Sequence, residues 1–155
     1  MKPAYSRTGK VCLLVSEKEV RMFDDKLGCK KCNASPEPKT SRSTLPYEIT
    51  RSLYESSHYA FWLCECRYCG TPWLEYFKEF IGWLDGDDKM YTSWMPLVEF
   101  ELAEISRNFP QERGRESIPE LQKYFGRRRT LVLDPKNSYH WDQPGINPLH
   151  LAVTG

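Results

Sequence analysis

Apolar and polar positions are patterned most clearly in the middle of the chain. Tyr59, Phe61 and Leu63 alternate with Ala60, Trp62 and Cys64, so both faces of segment 58–66 are apolar. That pattern predicts a strand buried on two sides. Segment 47–55 before it reads as a partner strand. Segment 73–84 fits two periods. Leu74, Phe77, Ile81 and Leu84 have near-helical spacing, whereas as a strand it puts Trp73, Phe77, Ile81 and Trp83 on one face with Glu75 and Glu79. Asp85-Gly-Asp-Asp88 is a turn signal with extended Met90–Trp94 behind it, which favours a hairpin. Val98, Leu102, Ile105 and Phe109 then form the apolar stripe of a helix from Pro96 to about Arg107, with Glu99 and Glu101 near its positive end. Ser117-Ile-Pro-Glu120 reads as a capping box opening a second helix through Phe125, which Gly126 ends. Thr130–Leu133 is a strand, Asp134–Asn137 a turn, and Tyr139–Trp141 the return.

The first third is less regular. Val11–Val15 is a short apolar run that predicts a strand, with Cys12 as a core thiol. Ser16-Glu-Lys-Glu19 predicts a capped helix over 17–26, with Gly28 at its end. Residues 33–46, rich in Ser, Thr, Pro and Lys, read as an exposed loop. The irregular tail carries Leu149, Leu151 and Val153, which can dock on the core.

Five of the six cysteines fall in two clusters, Cys29-Lys-Lys-Cys32 and Cys64-Glu-Cys66-Arg-Tyr-Cys69-Gly-Thr71. A C-x-x-C pair turns two thiolates onto one metal ion, and a second pair completes a tetrahedral set. The expected ligands of a structural zinc ion are Cys29, Cys32, Cys66 and Cys69. Cys64 is an alternative to Cys66, and His58 an outside candidate. The long separation between the pairs is tolerable, because closure entropy grows slowly with loop length. Four thiolates fill the coordination sphere and leave no place for an activated water, which favours a structural over a catalytic site.

Composition narrows the class. The chain has 155 residues, 40% hydrophobic and 14% aromatic, enough apolar material for the core of one domain spanning 1–155. No apolar run is long enough to cross a membrane, and Met1–Arg7 lacks a secretory apolar segment, so a cytoplasmic protein is expected. There, paired cysteines hold metal more often than they form disulfides. The net charge of +1 hides three blocks: +5 over residues 1–51, −6 over 74–104 and +4 over 107–129.

Catalytic signatures are missing. His58-Tyr-Ala60 is not the H-x-E of a zinc deaminase, and neither cysteine pair follows a proline. His58, His140 and His150 lie in no nucleophile motif, and no phosphate loop or dinucleotide fingerprint occurs. Asp85, Asp87 and Asp88 lack calcium-loop spacing. Glu75 and Glu79 make an acid/base pair only if aimed into a cleft. The expectation is a protein that is not an enzyme.

Cys66-Arg-Tyr-Cys69-Gly-Thr with Trp73 resembles the second knuckle of zinc-ribbon proteins, over about residues 27–84. The expected fold is α+β: a small antiparallel sheet with a four-cysteine zinc ribbon and two or three short helices. In size, ribbon and the aromatic, acidic run from Trp73 to Glu104, the chain resembles the small immunity proteins of bacterial polymorphic toxin systems. That resemblance implies a cognate protein toxin as partner, bound through Asp85, Asp87, Asp88, Tyr91, Trp94, Glu99, Glu101 and Glu104. Charge would speed association and aromatics would supply affinity. The alternative is a nucleic-acid-binding or regulatory zinc-ribbon protein using Arg127, Arg128, Arg129 and the basic first third.

Overall fold

A computed structural model describes residues 27–82, 86 and 88–145. The strand expected at 11–15, the helix at 17–26, Cys12 and the apolar tail beyond 145 lie outside the described residues, as do Trp83, Asp85 and Asp87.

Six strands form one antiparallel sheet in sequence order: β1 Tyr47–Glu55, β2 Tyr59–Cys66, β3 Pro72–Phe80, β4 Lys89–Pro96, β5 Thr130–Leu133 and β6 Tyr139–Asp142. Of the ambiguous segment 73–84, residues 73–80 are therefore strand, paired with β4 as the first half of a hairpin. Its register pairs Trp73 with Pro96 and Glu75 with Trp94. Period-two alternation then sorts the side chains onto two faces. Leu53, Phe61, Leu63, Leu74, Tyr76 and Met95 build one core under the helices. Tyr47, Cys64, Cys66, Trp73, Trp94 and Leu131 build the other, closed by Cys32 and Leu45 from the segment before β1. This two-sided burial is what the apolar-on-both-faces pattern of residues 58–66 demands.

Two helices are described. Helix α1, Glu99–Asn108, packs Ile105 against the first core, and Phe109 just beyond its end joins them there. Helix α2, Ser117–Gln122, contributes Ile118 and Leu121. The α+β expectation, a small sheet with two or three helices, is corrected: this is a mostly β architecture with one ten-residue helix and a second of only six. The cause is that the strands pair antiparallel in sequence order into one six-stranded sheet, while the second helix stops at Gln122 and not at Phe125.

Two helix starts also differ from expectation. Pro96 ends β4, and α1 begins three residues later, where the Glu101 carboxylate accepts the Val98 amide at 3.1 Å. The expected capping box at Ser117 is not used. The Ser117 hydroxyl donates to the Gly114 carbonyl at 2.7 Å, and Glu120 takes a two-pronged pair from Arg113 at 2.9 and 3.1 Å. A nearby guanidinium out-competes a backbone amide for that carboxylate, because a bidentate charged pair is the stronger bond.

Candidate metal centre

The chain order of a ribbon is present: first knuckle, β1, β2, second knuckle, β3. The first knuckle is a turn over 29–32. Gly28 enters it at φ +89°, and a side chain there would meet Cys32 Sγ at 2.5 Å. A left-handed backbone and lack of space together require glycine at this point. Asn33 Nδ2 donates to the carbonyls of Leu27 at 2.7 Å and Cys29 at 3.0 Å, locking the turn. The second knuckle closes in the same way: the Gly70 amide donates to the Cys66 carbonyl at 2.8 Å, with Gly70 at φ +77°. The Tyr47 hydroxyl, rooted in β1, donates to the Cys32 carbonyl at 2.6 Å and joins the first knuckle to the sheet.

The sulfurs of Cys29, Cys32, Cys66 and Cys69 all lie within 4.8 Å of one another. Three of the sulfur–sulfur separations, Cys29–Cys32, Cys29–Cys66 and Cys32–Cys69, are each 3.8 Å. A tetrahedron of thiolates about 2.3 Å from a central zinc ion has edges of roughly 3.8 Å. Disulfide sulfurs would sit about 2.05 Å apart, whereas these cysteines are free thiols. The donor set and its spacing therefore fit one metal ion.

The alternatives to Cys66 go elsewhere. Cys64 shares the inward face of β2 with Cys66 but donates its thiol to Glu75 at 3.1 Å. His58 stands at the far end of β2, a strand of eight residues or roughly 25 Å, with Nδ1 3.0 Å from Glu79.

The thiols differ in readiness. Backbone donation from Cys32 lowers Cys29 to about 6. Burial pushes Cys32 and Cys66 above the ordinary thiol range. Burial, then the neighbouring Glu75 carboxylate, raises Cys64. A thiolate-requiring metal thus finds one ligand prepared and must displace protons from the two buried ones.

Sequence reasoning missed the network beside this cluster. Glu75, only 2% exposed, sits between Trp62 and Trp94 in one cross-strand row. Arg42 reaches it from the turn Arg42–Thr44 with Nε at 2.9 Å and Nη2 at 2.5 Å, and gives Nη1 to the Tyr47 carbonyl at 2.8 Å. The available signal was a lone carboxylate within Trp-Leu-Glu-Tyr-Phe, on the core-facing side of a strand. With Glu75 held by Arg42 and Cys64, and Glu79 by His58, these carboxylates are engaged in separate pairs.

The expected partner surface is not one surface. Trp94 is 0% exposed and Glu101 2% exposed. Glu101 is clamped by Arg127 at 2.7 Å and Arg128 at 2.5 Å. Glu104 accepts the Tyr124 hydroxyl and lies 3.9 Å from Lys123. Asp88 lies just before β4 and Glu99 beyond its end, so the eight-residue strand, roughly 25 Å, separates them, with Tyr91 near its start. The arginine triplet is divided too. Arg127 and Arg128 serve Glu101, and Arg129 covers Trp141 at 4.1 Å from the ring centre.

Comparison with protein-family models, curated proteins and solved structures gave no match.

Proposed function

We propose that this chain is a zinc-stapled binding protein without a catalytic centre. The observation that carries the reading is the set of 3.8 Å sulfur–sulfur edges. Four thiolates around zinc leave no open position for substrate or water, which supports a structural role. Free thiols at this spacing also support a reducing compartment such as the cytoplasm.

The partner we propose is a protein, with a bacterial toxin neutralised by its immunity protein as the specific case. Support comes from the end of the β3–β4 hairpin. Ile81 and Met90 are exposed there, Phe80 and Tyr91 meet edge to face, and Asp88 is exposed and accepts the Gly82 amide. Exposed apolar side chains beside the Asp88 carboxylate would suit a partner cleft that offers an apolar pocket and a cation, although Lys78, over the Phe80 ring, and exposed Lys89 share the tip. Glu99, with exposed Phe100 beside it, would be a separate contact at the opposite end.

Elemental analysis of purified protein tests the metal: one zinc per chain is expected, and none would remove the staple. For the partner, co-expression with a toxin encoded beside this chain is the assay. Wild type should protect and the Asp87→Lys/Asp88→Lys variant should not, with both equally folded. Equal protection would take the acidic tip out of the reading.

The alternative, a nucleic-acid-binding or regulatory zinc-ribbon protein, draws on the knuckle tips. Lys30, Lys31, Arg67 and Tyr68 are exposed, and Lys31 Nζ lies 3.9 Å from the Tyr68 ring centre. We rank it second because exposed Glu48 and Glu65 flank the tip and a zinc tetrathiolate is itself dianionic. A salt titration with short duplex and single-stranded oligonucleotides decides: steep salt-dependent binding would favour it, and no binding at low salt would end it.

A further inference from the structure

We propose that the four-cysteine cluster is also a thiol-oxidation site with defined partners: hydroperoxides join Cys32 to Cys69 and Cys29 to Cys66, so that a covalent clamp replaces the metal clamp. This rests on the metal reading above and adds a reactivity to the same site.

The order of attack follows from exposure. Cys69 is exposed, Cys29 is half-buried, and Cys32 and Cys66 are buried. An oxidant from solvent therefore meets Cys69 first. Of the three sulfurs within 4.8 Å of Cys69, Cys32 lies across the knuckles at 3.8 Å and is placed to resolve it; Cys29 and Cys32 are equally close at 3.8 Å, so the pairing is set by the attack at Cys69 coming first. Once that pair closes, the sulfurs left over, Cys29 and Cys66, are also 3.8 Å apart.

The chemistry balances with two hydroperoxide molecules. The Cys69 thiolate attacks the peroxide oxygen, the O–O bond breaks, and a sulfenic acid and hydroxide form. The Cys32 thiolate then attacks the Cys69 sulfur and expels the sulfenic oxygen as a second hydroxide. The same two steps join Cys29 and Cys66. Each disulfide represents the loss of two electrons by two sulfurs, taken up by one peroxide, and the zinc ion leaves to water once its thiolates are consumed.

The pairing decides what oxidation does to the fold. Bridges within each C-x-x-C would release the metal and uncouple the knuckles from one another. Bridges across them hold the first knuckle to the end of β2, each linking residues 37 apart in sequence. Long loops closed in this way restrict the unfolded chain, so the oxidised, zinc-free protein should unfold at a higher temperature than the reduced, chelated protein.

The sequence suits a direct test, because Lys30, Lys31 and Arg67 let trypsin cut between the cysteines of both pairs. Zinc-loaded full-length protein is treated with increasing hydrogen peroxide, zinc release is followed with a chromogenic chelator, and non-reduced tryptic peptides are mapped by mass spectrometry. The expected result is complete zinc release, with Cys32–Cys69 and Cys29–Cys66 peptides dominant and the Cys32–Cys69 bridge appearing first. Dominant Cys29–Cys32 and Cys66–Cys69 bridges would overturn the proposal, as would a bridge to Cys64 or zinc kept under peroxide that oxidises free thiols. If the purified protein holds no metal, the staple reading falls on its own. The peptide map of the metal-free chain then decides the pairing: cross-knuckle bridges uphold it and within-knuckle bridges overturn it.

Discussion

Single side chains in this protein take their meaning from burial. Cys64 and Cys66 differ by two positions and share a face of β2, yet one bonds a carboxylate and the other joins a sulfur cluster. The cluster also makes a prediction at this scale. Burial raises Cys32 and Cys66, so their protonated forms persist at neutral pH, and a metal ion held by the cluster must displace both protons. Each displaced proton changes apparent affinity about tenfold per pH unit, so these two thiols alone should lower affinity at least about a hundredfold from pH 8 to pH 7. Cys29, lowered to about 6, is already ionised in that window and adds its own loss only on further acidification. Competition against a chelator of known pH dependence measures this. An affinity flat in pH would mean that these thiols are not the ligands.

At the scale of elements, α1 is anchored by charge as well as by Ile105. Glu101 accepts the Val98 amide at the helix start and receives Arg127 and buried Arg128. Removing the carboxylate leaves a guanidinium in the interior, and breaking such a pair costs roughly 3–5 kcal/mol. Glu101→Ala should therefore lower unfolding free energy by that order in chemical denaturation. Glu99→Ala, an exposed acid in the same turn, should change it by less than about 0.5 kcal/mol. Equal effects would mean that the clamp adds nothing. The acids and arginines were readable as charge blocks. That two blocks cancel one another inside the fold was not, because Glu101 and Arg128 lie 27 residues apart and meet only when α1 packs beside the start of β5.

At the scale of the whole molecule, the sheet separates two cores. Among the described residues, the core under α1 and α2 contains no cysteine, whereas Cys32, Cys64 and Cys66 belong to the other. Metal removal should thus act on one face. With a chelator present, amides over residues 27–46 should exchange much faster in hydrogen-exchange mass spectrometry, while those of α1 and its contacts in β3 and β4 change little. Uniform acceleration through both layers would show that the metal supports the entire fold and not one side of it.

Local pattern alone determined the strands β1, β2, β5 and β6 nearly to the residue, since alternation and flanking turns are properties of short stretches. It also picked out the four cysteines whose sulfurs the fold brings within 4.8 Å of one another, since C-x-x-C spacing is a local geometric requirement. Tertiary structure decided the rest. It settled residues 73–80 as a strand, which the turn signal behind them had favoured over the helical spacing, because β2 and β4 lie on either side to pair with them. It turned Glu75, Glu101 and Arg128 from surface charges into buried pairs. It also split the expected acidic surface between the two ends of β4 and the interior. Charge read along a chain carries no information about which carboxylate faces water; that depends on which cations the folded backbone brings within hydrogen-bonding reach.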